Sequence, residues 1–198
     1  MSTPMSSHFA PAPAWLAGTW LNTPRPLSLE ALRGRVVVLH AFQMLCPACV
    51  SHGLPQATAI HRAFAGSGVA VVGLYSVFEH HAAMNEEALR AFVHEYRLAF
   101  PIAIDAPGPT GSIPRTMQAY GLRGTPSLVL IDRQGRIRLN HFGHLDDLRV
   151  GALIGGLLAE APQPQDDDVG PGAPGAGSAG RSPHAGCDDA ACAVPQSA

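Results

Sequence analysis

Two cysteines, Cys46 and Cys49, follow closely after an uninterrupted run of mostly apolar residues over 35–42. Because the run does not alternate with polar residues, it is typical of a strand that is buried on both faces of a sheet. The following segment predicts a helix from the cysteines to about residue 64, and Pro55 inside it should kink or locally break that helix. A buried strand that leads into a helix through a C-x-x-C pair constrains the fold more than any other feature of this chain.

The chain from about residue 15 to 160 continues the alternation of strands and helices. Asn85 is the expected N-cap of a helix whose apolar residues recur at helical spacing. Gly135 favours a hairpin turn between the last two strands. The predicted strands are 35–42, 68–77, 100–105, 127–132 and 136–142, and two further helices cover 113–120 and 146–160. This order predicts an α/β fold with a mixed central sheet flanked by helices.

The composition changes sharply near residue 161. Residues 161–198 are rich in Pro, Gly, Ala, Ser and Asp, and Val169 and Val194 are their only large aliphatic residues. Such a segment buries too little apolar surface to offset its ordering entropy, so we predict a disordered tail that carries Cys187 and Cys192. Residues 1–14 are predicted to be a shorter flexible end, which leaves 15–160 as the folded domain.

Charge and apolar runs exclude several classes of function. The formal net charge is −2, which gives no electrostatic reason to bind nucleic acid or an anionic membrane. The first basic residue is Arg25 and the early apolar stretch is interrupted by prolines, so we expect no secretory signal. No apolar run approaches the roughly 20 residues of a spanning helix. We therefore expect a cytoplasmic protein, where a cysteine pair is more often catalytic or metal-binding than structural.

The position of Cys46 at the start of a helix favours nucleophilic sulfur chemistry. Unpaired N–H groups and the helix dipole there can lower a cysteine pKa from about 8.5 into the range of roughly 3.5–7.5. A thiolate attacks a disulfide to form a mixed disulfide, which the second cysteine resolves. The spacing thus predicts Cys46 as the nucleophile and Cys49 as the resolving thiol, with no bound cofactor.

A second feature is Thr125-Pro126, which immediately precedes the predicted strand 127–132. A proline at this place can hold a cis peptide bond. Such a bond would turn the backbone groups of Thr125 toward the cysteines, where a substrate strand could pair with them. The plain alternative is an ordinary trans proline that opens a strand.

The chain resembles the TlpA/ResA-like thiol–disulfide oxidoreductases of the thioredoxin-like superfamily. The matching stretches are Trp20–Thr23, Leu27–Leu39, Cys46–Cys49, Phe100–Asp105, Ala119–Pro126 and Leu128–Gly135. The resemblance implies a thioredoxin fold with an extra strand–helix insertion and a cis Pro126 facing Cys46. It also implies a disulfide-containing protein or a small thiol as substrate, and an upstream reductant of the thioredoxin or glutathione type.

Four positions depart from the family pattern. Leu45 stands where a Trp usually precedes the first cysteine, and His40 stands where thioredoxins have a buried carboxylate. His52 stands where ResA-like proteins have a Glu, and Gly53 looks like an inserted residue. Because imidazole can accept a proton near neutral pH, His40 and His52 are candidates for proton transfer. Alternatively, His40 is a hydrogen-bonded core residue and His52 is a surface residue.

Other functions remain open from the sequence alone. A peroxiredoxin-like peroxide reductase should have Thr or Ser three residues before its reactive cysteine, but Gln43 occupies that place before Cys46. The tail motif of His184, Cys187 and Cys192 could bind a metal alone, or the tail pair could complete a four-thiolate site with Cys46 and Cys49. The tail pair could instead exchange electrons with Cys46 and Cys49. The tail thiols could also be spectators.

Overall fold

The structure is a computed structural model that describes residues 9–109 and 113–160. The predicted tail, with Cys187 and Cys192, lies outside the described residues, as does most of the predicted N-terminal end. Within the described part, backbone bonds extend upstream of the predicted domain start at residue 15. The amide of Ala12 donates to the carbonyl of Gly135, and that of Ile137 donates to the carbonyl of Ala10, each at 2.8 Å.

A six-stranded mixed sheet forms the centre of the fold, in the order β1-β4-β3-β2-β5-β6. The strands are β1 (Ala17–Leu21), β2 (Val36–Phe42), β3 (Val69–Tyr75), β4 (Ile102–Asp105), β5 (Ser127–Ile131) and β6 (Ile137–Phe142). The central strands β2, β3 and β4 run parallel, whereas β1, β5 and β6 each pair antiparallel with their neighbour. The predicted hairpin and the predicted mixed sheet are both confirmed.

Helices cover both faces of this sheet, which explains why β2 shows no alternation. They are α1 (Leu54–Ala63), α2 (Glu86–Glu95), α3 (Arg115–Ala119) and α4 (Asp147–Ala159). Val36 and Val38 of β2 pack into the cluster that contains residues of α1, α2 and α4. Val37 and Leu39 point to the other face, where they pack with Met117 of α3. Alternate residues thus enter two different cores, and every residue of β2 is buried.

The predicted helix starts are confirmed by their caps. The side chain of Asn85 accepts a hydrogen bond of 3.0 Å from the amide of Ala88 at the start of α2. The side chain of Asp146 accepts from two amides at the start of α4. Each oxygen satisfies amides that have no partner inside the helix, as capping requires.

The sequence did not predict the first strand. β1 spans five residues, contains Gly18, and pairs only with β4 at the edge of the sheet. A short edge strand with partly exposed side chains has no clear period-two pattern, so only its pairing with β4 identifies it.

No helix among the described residues is long and apolar enough to cross a membrane.

Candidate active site

The two cysteines lie just beyond the carboxyl end of β2, at the start of a helical segment. Pro47 and Ala48 are the first helical residues, and the chain then makes one wide π-helical turn over Cys49–Gly53 before α1 begins. Proline is well suited to the first helical position because its missing N–H would have no partner there. Cys46 therefore occupies the N-cap position, as the sequence predicts.

The geometry distinguishes the two thiols. The Cys46 side chain is partly exposed, whereas Cys49 is completely buried, with 0% of its surface exposed. The amide of Cys49 donates a hydrogen bond to the Cys46 sulfur at 3.2 Å, so an N–H points at the sulfur that faces solvent. The two sulfurs are free thiols 2.6 Å apart. A disulfide bond between them can form with little movement of the backbone.

Burial raises the pKa of Cys49 to about 12, and its hydrogen bond with Cys46 acts in the same direction. Hydrogen bonds from the backbone of Gln43 and the side chain of Thr125 lower this pKa, but they do not offset the burial. Cys49 is thus a protonated thiol at neutral pH. A thiol in this state would have to lose its proton before its sulfur could act as a nucleophile.

The peptide bond between Thr125 and Pro126 is cis, which confirms the prediction for this proline. The carbonyl oxygen of Thr125 accepts a hydrogen bond of 3.4 Å from the Cys46 thiol. The amide of Gly143 at the end of β6 donates to the carbonyl of Pro126 at 2.8 Å and ties this loop to the sheet. Thr125 and Cys46 therefore face each other, as the resemblance implies.

The sequence analysis missed Gln43 as a member of the site. Its side chain is buried directly after β2, and its amide nitrogen lies 3.4 Å from the Thr125 hydroxyl. Its amide oxygen lies 3.5 Å from the amide of Phe78. Gln43 thus links the loop after β3 to the cis-proline loop. A polar residue at the end of an apolar strand, three positions before a reactive cysteine, was the available signal.

The two candidate histidines occupy different environments. His40 lies in the middle of β2 with 2% of its surface exposed, and its Nδ1 atom has no hydrogen-bond partner among the described residues. Burial lowers the pKa of His40 to about 4, to which the nearby His144 also contributes. His52 is exposed, and its ring lies 5.2 Å from the ring of His144. Of the two histidines, only His40 is therefore buried.

Gly53 leaves space for the His40 ring. A Cβ atom at Gly53 would lie 2.5 Å from Cε1 and 2.6 Å from Nε2 of His40, and 3.2 Å from Cβ of Pro126. The residue that looks inserted in the sequence is part of the π-helical turn, a form that often occurs at functional sites. The irregular turn therefore lies before Pro55. The predicted kink or break at Pro55 is wrong, because this proline lies in the first turn of α1, where its missing N–H would have no partner.

No group of three or more candidate metal ligands occurs within residues 9–109 and 113–160. The tail cysteines and His184, proposed as an alternative metal site, lie outside the described residues.

Comparisons with known proteins identify the family. Residues 10–148 match the Redoxin family. A crystal structure described as a thioredoxin-like superfamily protein is 52% identical, with a TM-score of 0.75, and the alignment covers 77% of this chain and 98% of that chain. A thiol-disulfide isomerase from Corynebacterium glutamicum is 51% identical, with a TM-score of 0.72, over 76% of this chain and 98% of that chain.

Curated relatives are more distant. Thiol-disulfide oxidoreductase ResA from Halalkalibacterium halodurans is 27% identical over 68% of this chain and 69% of its own length. Protein DipZ from Mycobacterium tuberculosis is 29% identical over 73% of this chain but 21% of its own length, so the chain spans about a fifth of that relative. With the matched residues covering most of the described fold, the chain belongs to the Redoxin family as a thioredoxin-like protein of the TlpA/ResA-like type.

Proposed function

We propose that this protein is a thiol–disulfide oxidoreductase that acts as a disulfide reductase through Cys46 and Cys49. The observation that carries the proposal is the pair of free sulfurs 2.6 Å apart, of which only Cys46 reaches solvent. An accessible sulfur can attack a substrate, and a buried sulfur in contact with it can resolve the product. The relatives named as a thiol-disulfide isomerase and as ResA support the same class of reaction.

The reaction transfers two electrons and two protons. The thiolate of Cys46 attacks one sulfur of the substrate disulfide, a new bond joins Cys46 to that sulfur, and the other substrate sulfur leaves as a thiolate that takes up a proton. Cys49 then loses its proton and attacks the Cys46 sulfur. The first substrate sulfur leaves, and a Cys46–Cys49 disulfide remains. A reductant of the thioredoxin or glutathione type would restore the dithiol.

We assign proton acceptance from Cys49 to His40. The assignment rests on position, because the Nε2 edge of His40 lies against Gly53 in the turn that begins with Cys49. Burial lowers the pKa of His40 to about 4, so the imidazole is neutral at neutral pH but is a weak base toward the Cys49 thiol, whose pKa is about 12. The Nδ1 atom of the same ring is buried and has no partner among the described residues, which costs about 1–3 kcal/mol. His52 is exposed, and the geometry favours it less for this step.

Substrate binding is assigned to the backbone of Thr125 beside Pro126. The Thr125 carbonyl lies 3.4 Å from the Cys46 sulfur, so a substrate strand that pairs with this backbone would bring its disulfide close to Cys46. Leu45 is 56% exposed next to Cys46 and offers an apolar contact to a disulfide-containing protein.

The test compares two serine variants in a background where Cys187 and Cys192 are both serine. We expect Cys46→Ser to abolish the reduction of insulin and of 4,4′-dithiodipyridine, because the accessible nucleophile is gone. Cys49→Ser should accumulate a mixed disulfide on Cys46, visible by mass spectrometry. Full turnover by Cys46→Ser would refute the assignment, and peroxide turnover without disulfide reduction would favour the peroxiredoxin alternative.

Comparison of that background with the unmodified chain also tests the tail. If Cys187 and Cys192 exchange electrons with Cys46 and Cys49, the measured reduction potential of the Cys46–Cys49 pair differs between the two proteins. Equal potentials would identify the tail thiols as spectators.

A further inference from the structure

The end of β2 before Cys46, the start of β5 after Thr125 and the end of β6 at Phe142 lie side by side at one end of the sheet. We call this end of the molecule the Cys46 face.

An exposed aromatic ring and an arginine lie on this face. Phe142 ends β6 with 45% of its surface exposed, and the guanidinium carbon of Arg123 lies 5.3 Å from its ring centre. A Cβ atom at Gly124 would lie 2.7 Å from Cε2 of Phe142, so the ring packs directly on the glycine backbone. We call these three residues, Arg123, Gly124 and Phe142, the Arg–Phe platform.

The Arg–Phe platform is attached to the cis-proline loop at both ends. Gly124 immediately precedes Thr125, whose carbonyl lies 3.4 Å from the Cys46 sulfur. Phe142 pairs with Ser127 in the β5–β6 register, and the next amide, that of Gly143, donates to the carbonyl of Pro126. Since Arg123 is two residues from Thr125, its backbone lies within about 8 Å of that carbonyl. A polypeptide that presents a disulfide to Cys46 must pass close to this platform.

The platform offers a cation above an apolar surface. Arg123 is exposed, and within the described part of the chain it makes no ion pair. A carboxylate beside the attacked cysteine would meet the guanidinium, and a neighbouring apolar group would cover the ring. A basic residue at the same place would be repelled by the guanidinium.

We propose that the Arg–Phe platform selects protein substrates whose target cysteine is flanked by acidic residues. The inference rests on the proposed disulfide reductase activity and names its substrate class: a disulfide in an Asp- or Glu-containing segment.

The experiment uses the full chain with Cys187 and Cys192 replaced by Ser, so that only one cysteine pair reacts. Three peptides, each closed by one disulfide, differ only in their flanking residues, which are Asp, Ser or Lys. We expect kcat/KM to fall from Asp to Ser to Lys by about threefold to fivefold in each step, as for exposed charge pairs. High salt should reduce the differences.

Three variants locate the effect. Arg123→Ala should remove the preference, and Arg123→Glu should invert it to favour the Lys peptide. Arg62→Ala is the matched control, because Arg62 is also exposed but lies in the last turn of α1, at the end away from Cys49. It should keep the full preference.

The outcomes separate this inference from the proposed function. The neutral disulfide 4,4′-dithiodipyridine should be reduced equally by the parent and by Arg123→Ala, which shows that the cysteine pair is intact. If the parent fails to reduce it, the proposed function is wrong. If the parent reduces it but treats the three peptides alike, or if Arg123→Ala keeps the preference, the selection of acidic segments is refuted. If Arg123→Ala slowed the reduction of glutathione disulfide but not that of the peptides, the proposal would also be refuted. The recognised molecule would then be a small disulfide.

Discussion

At the scale of single residues, the site depends on placing identical side chains in different environments. Cys46 and Cys49 are chemically the same, yet one faces solvent at a helix N-cap and the other is fully buried with a pKa raised to about 12. The accessible sulfur can react first, and the buried one is protected from competing reactions. This asymmetry gives the two thiols their separate roles in the proposed reaction.

His40 should make the stability of the protein depend on pH. Its pKa is about 4 in the folded chain and 6.5 in a solvated one, so below pH 6.5 the unfolded state binds a proton that the folded state does not. The free energy of unfolding should therefore decrease as the pH falls from 6.5 to about 4, by about 3 kcal/mol. Urea unfolding at a series of pH values measures this decrease.

His40→Leu is the comparison for that measurement, since leucine fills a similar volume without titrating. The variant should lose the His40 contribution to the slope between pH 4 and 6.5, while contributions from carboxylates below that range remain. An identical slope in both proteins would show that His40 is readily protonated in the folded state. That result would contradict the lowered pKa of His40.

At the scale of elements, the junction between β2 and α1 is the decisive feature. The chain forms a π-helical turn over Cys49–Gly53, and glycine inside a helix costs up to about 1 kcal/mol relative to alanine. The structure accepts this cost because the His40 ring occupies the place of a side chain at Gly53. His40 and Gly53 therefore depend on each other, although thirteen positions separate them.

Gly53→Ala should consequently be destabilising, and the effect should depend on His40. The new methyl group would lie within 2.6 Å of two ring atoms, so we expect a loss of about 1–3 kcal/mol and a changed reduction potential of the cysteine pair. In the His40→Ala background the same substitution should cost much less, because the nearest remaining atom would be Cβ of Pro126, at 3.2 Å.

A double-mutant cycle measured by urea unfolding gives the coupling between the two positions. Gly155→Ala in α4 is the control, since no atom lies within 4 Å of a Cβ at that position, and it should be neutral or slightly stabilising. An equal loss in both His40 backgrounds would assign the effect to the backbone of the turn and not to the imidazole.

At the scale of the whole molecule, one buried carboxylate joins three elements on the side of β4. Asp105 ends β4, and its two oxygens accept hydrogen bonds from the amides of Thr116 and Met117 in α3 at 2.8 and 2.9 Å. One of these oxygens also accepts a bond of 3.0 Å from the hydroxyl of Ser76, just after β3. Asp105 thus fixes the short helix α3 against the parallel strands.

Asp105→Ala should lower the free energy of unfolding by about 2–4 kcal/mol, because three buried donors lose their acceptor. Asp146→Ala removes an exposed helix cap and should cost about 1 kcal/mol. Thermal or urea unfolding of both variants compares the two sites. A loss at Asp105 no larger than that at Asp146 would contradict its role as a junction of three elements.

The local sequence determined the features that depend on short stretches of chain. The buried run before Cys46, the caps at Asn85 and Asp146, the hairpin around Gly135 and the cysteine spacing all express interactions between residues that are near in sequence. The place of Pro126 before a strand left both a cis and a trans bond open, and the family resemblance implied the cis bond. These features were sufficient to predict the mixed sheet and to name Cys46 and Cys49 as the candidate reactive pair.

Only the tertiary structure decided the features that depend on distant residues meeting. Edge strand β1 is recognised only by its pairing with β4. Gln43 belongs to the site because its side chain contacts Thr125, and Gly53 is needed where it stands because the imidazole of His40 lies against it. The sequence named His40 and His52 alike as proton-transfer candidates, and burial alone separates them. Burial and long-range contact are set by how the elements pack, and no periodicity within a single segment records that packing.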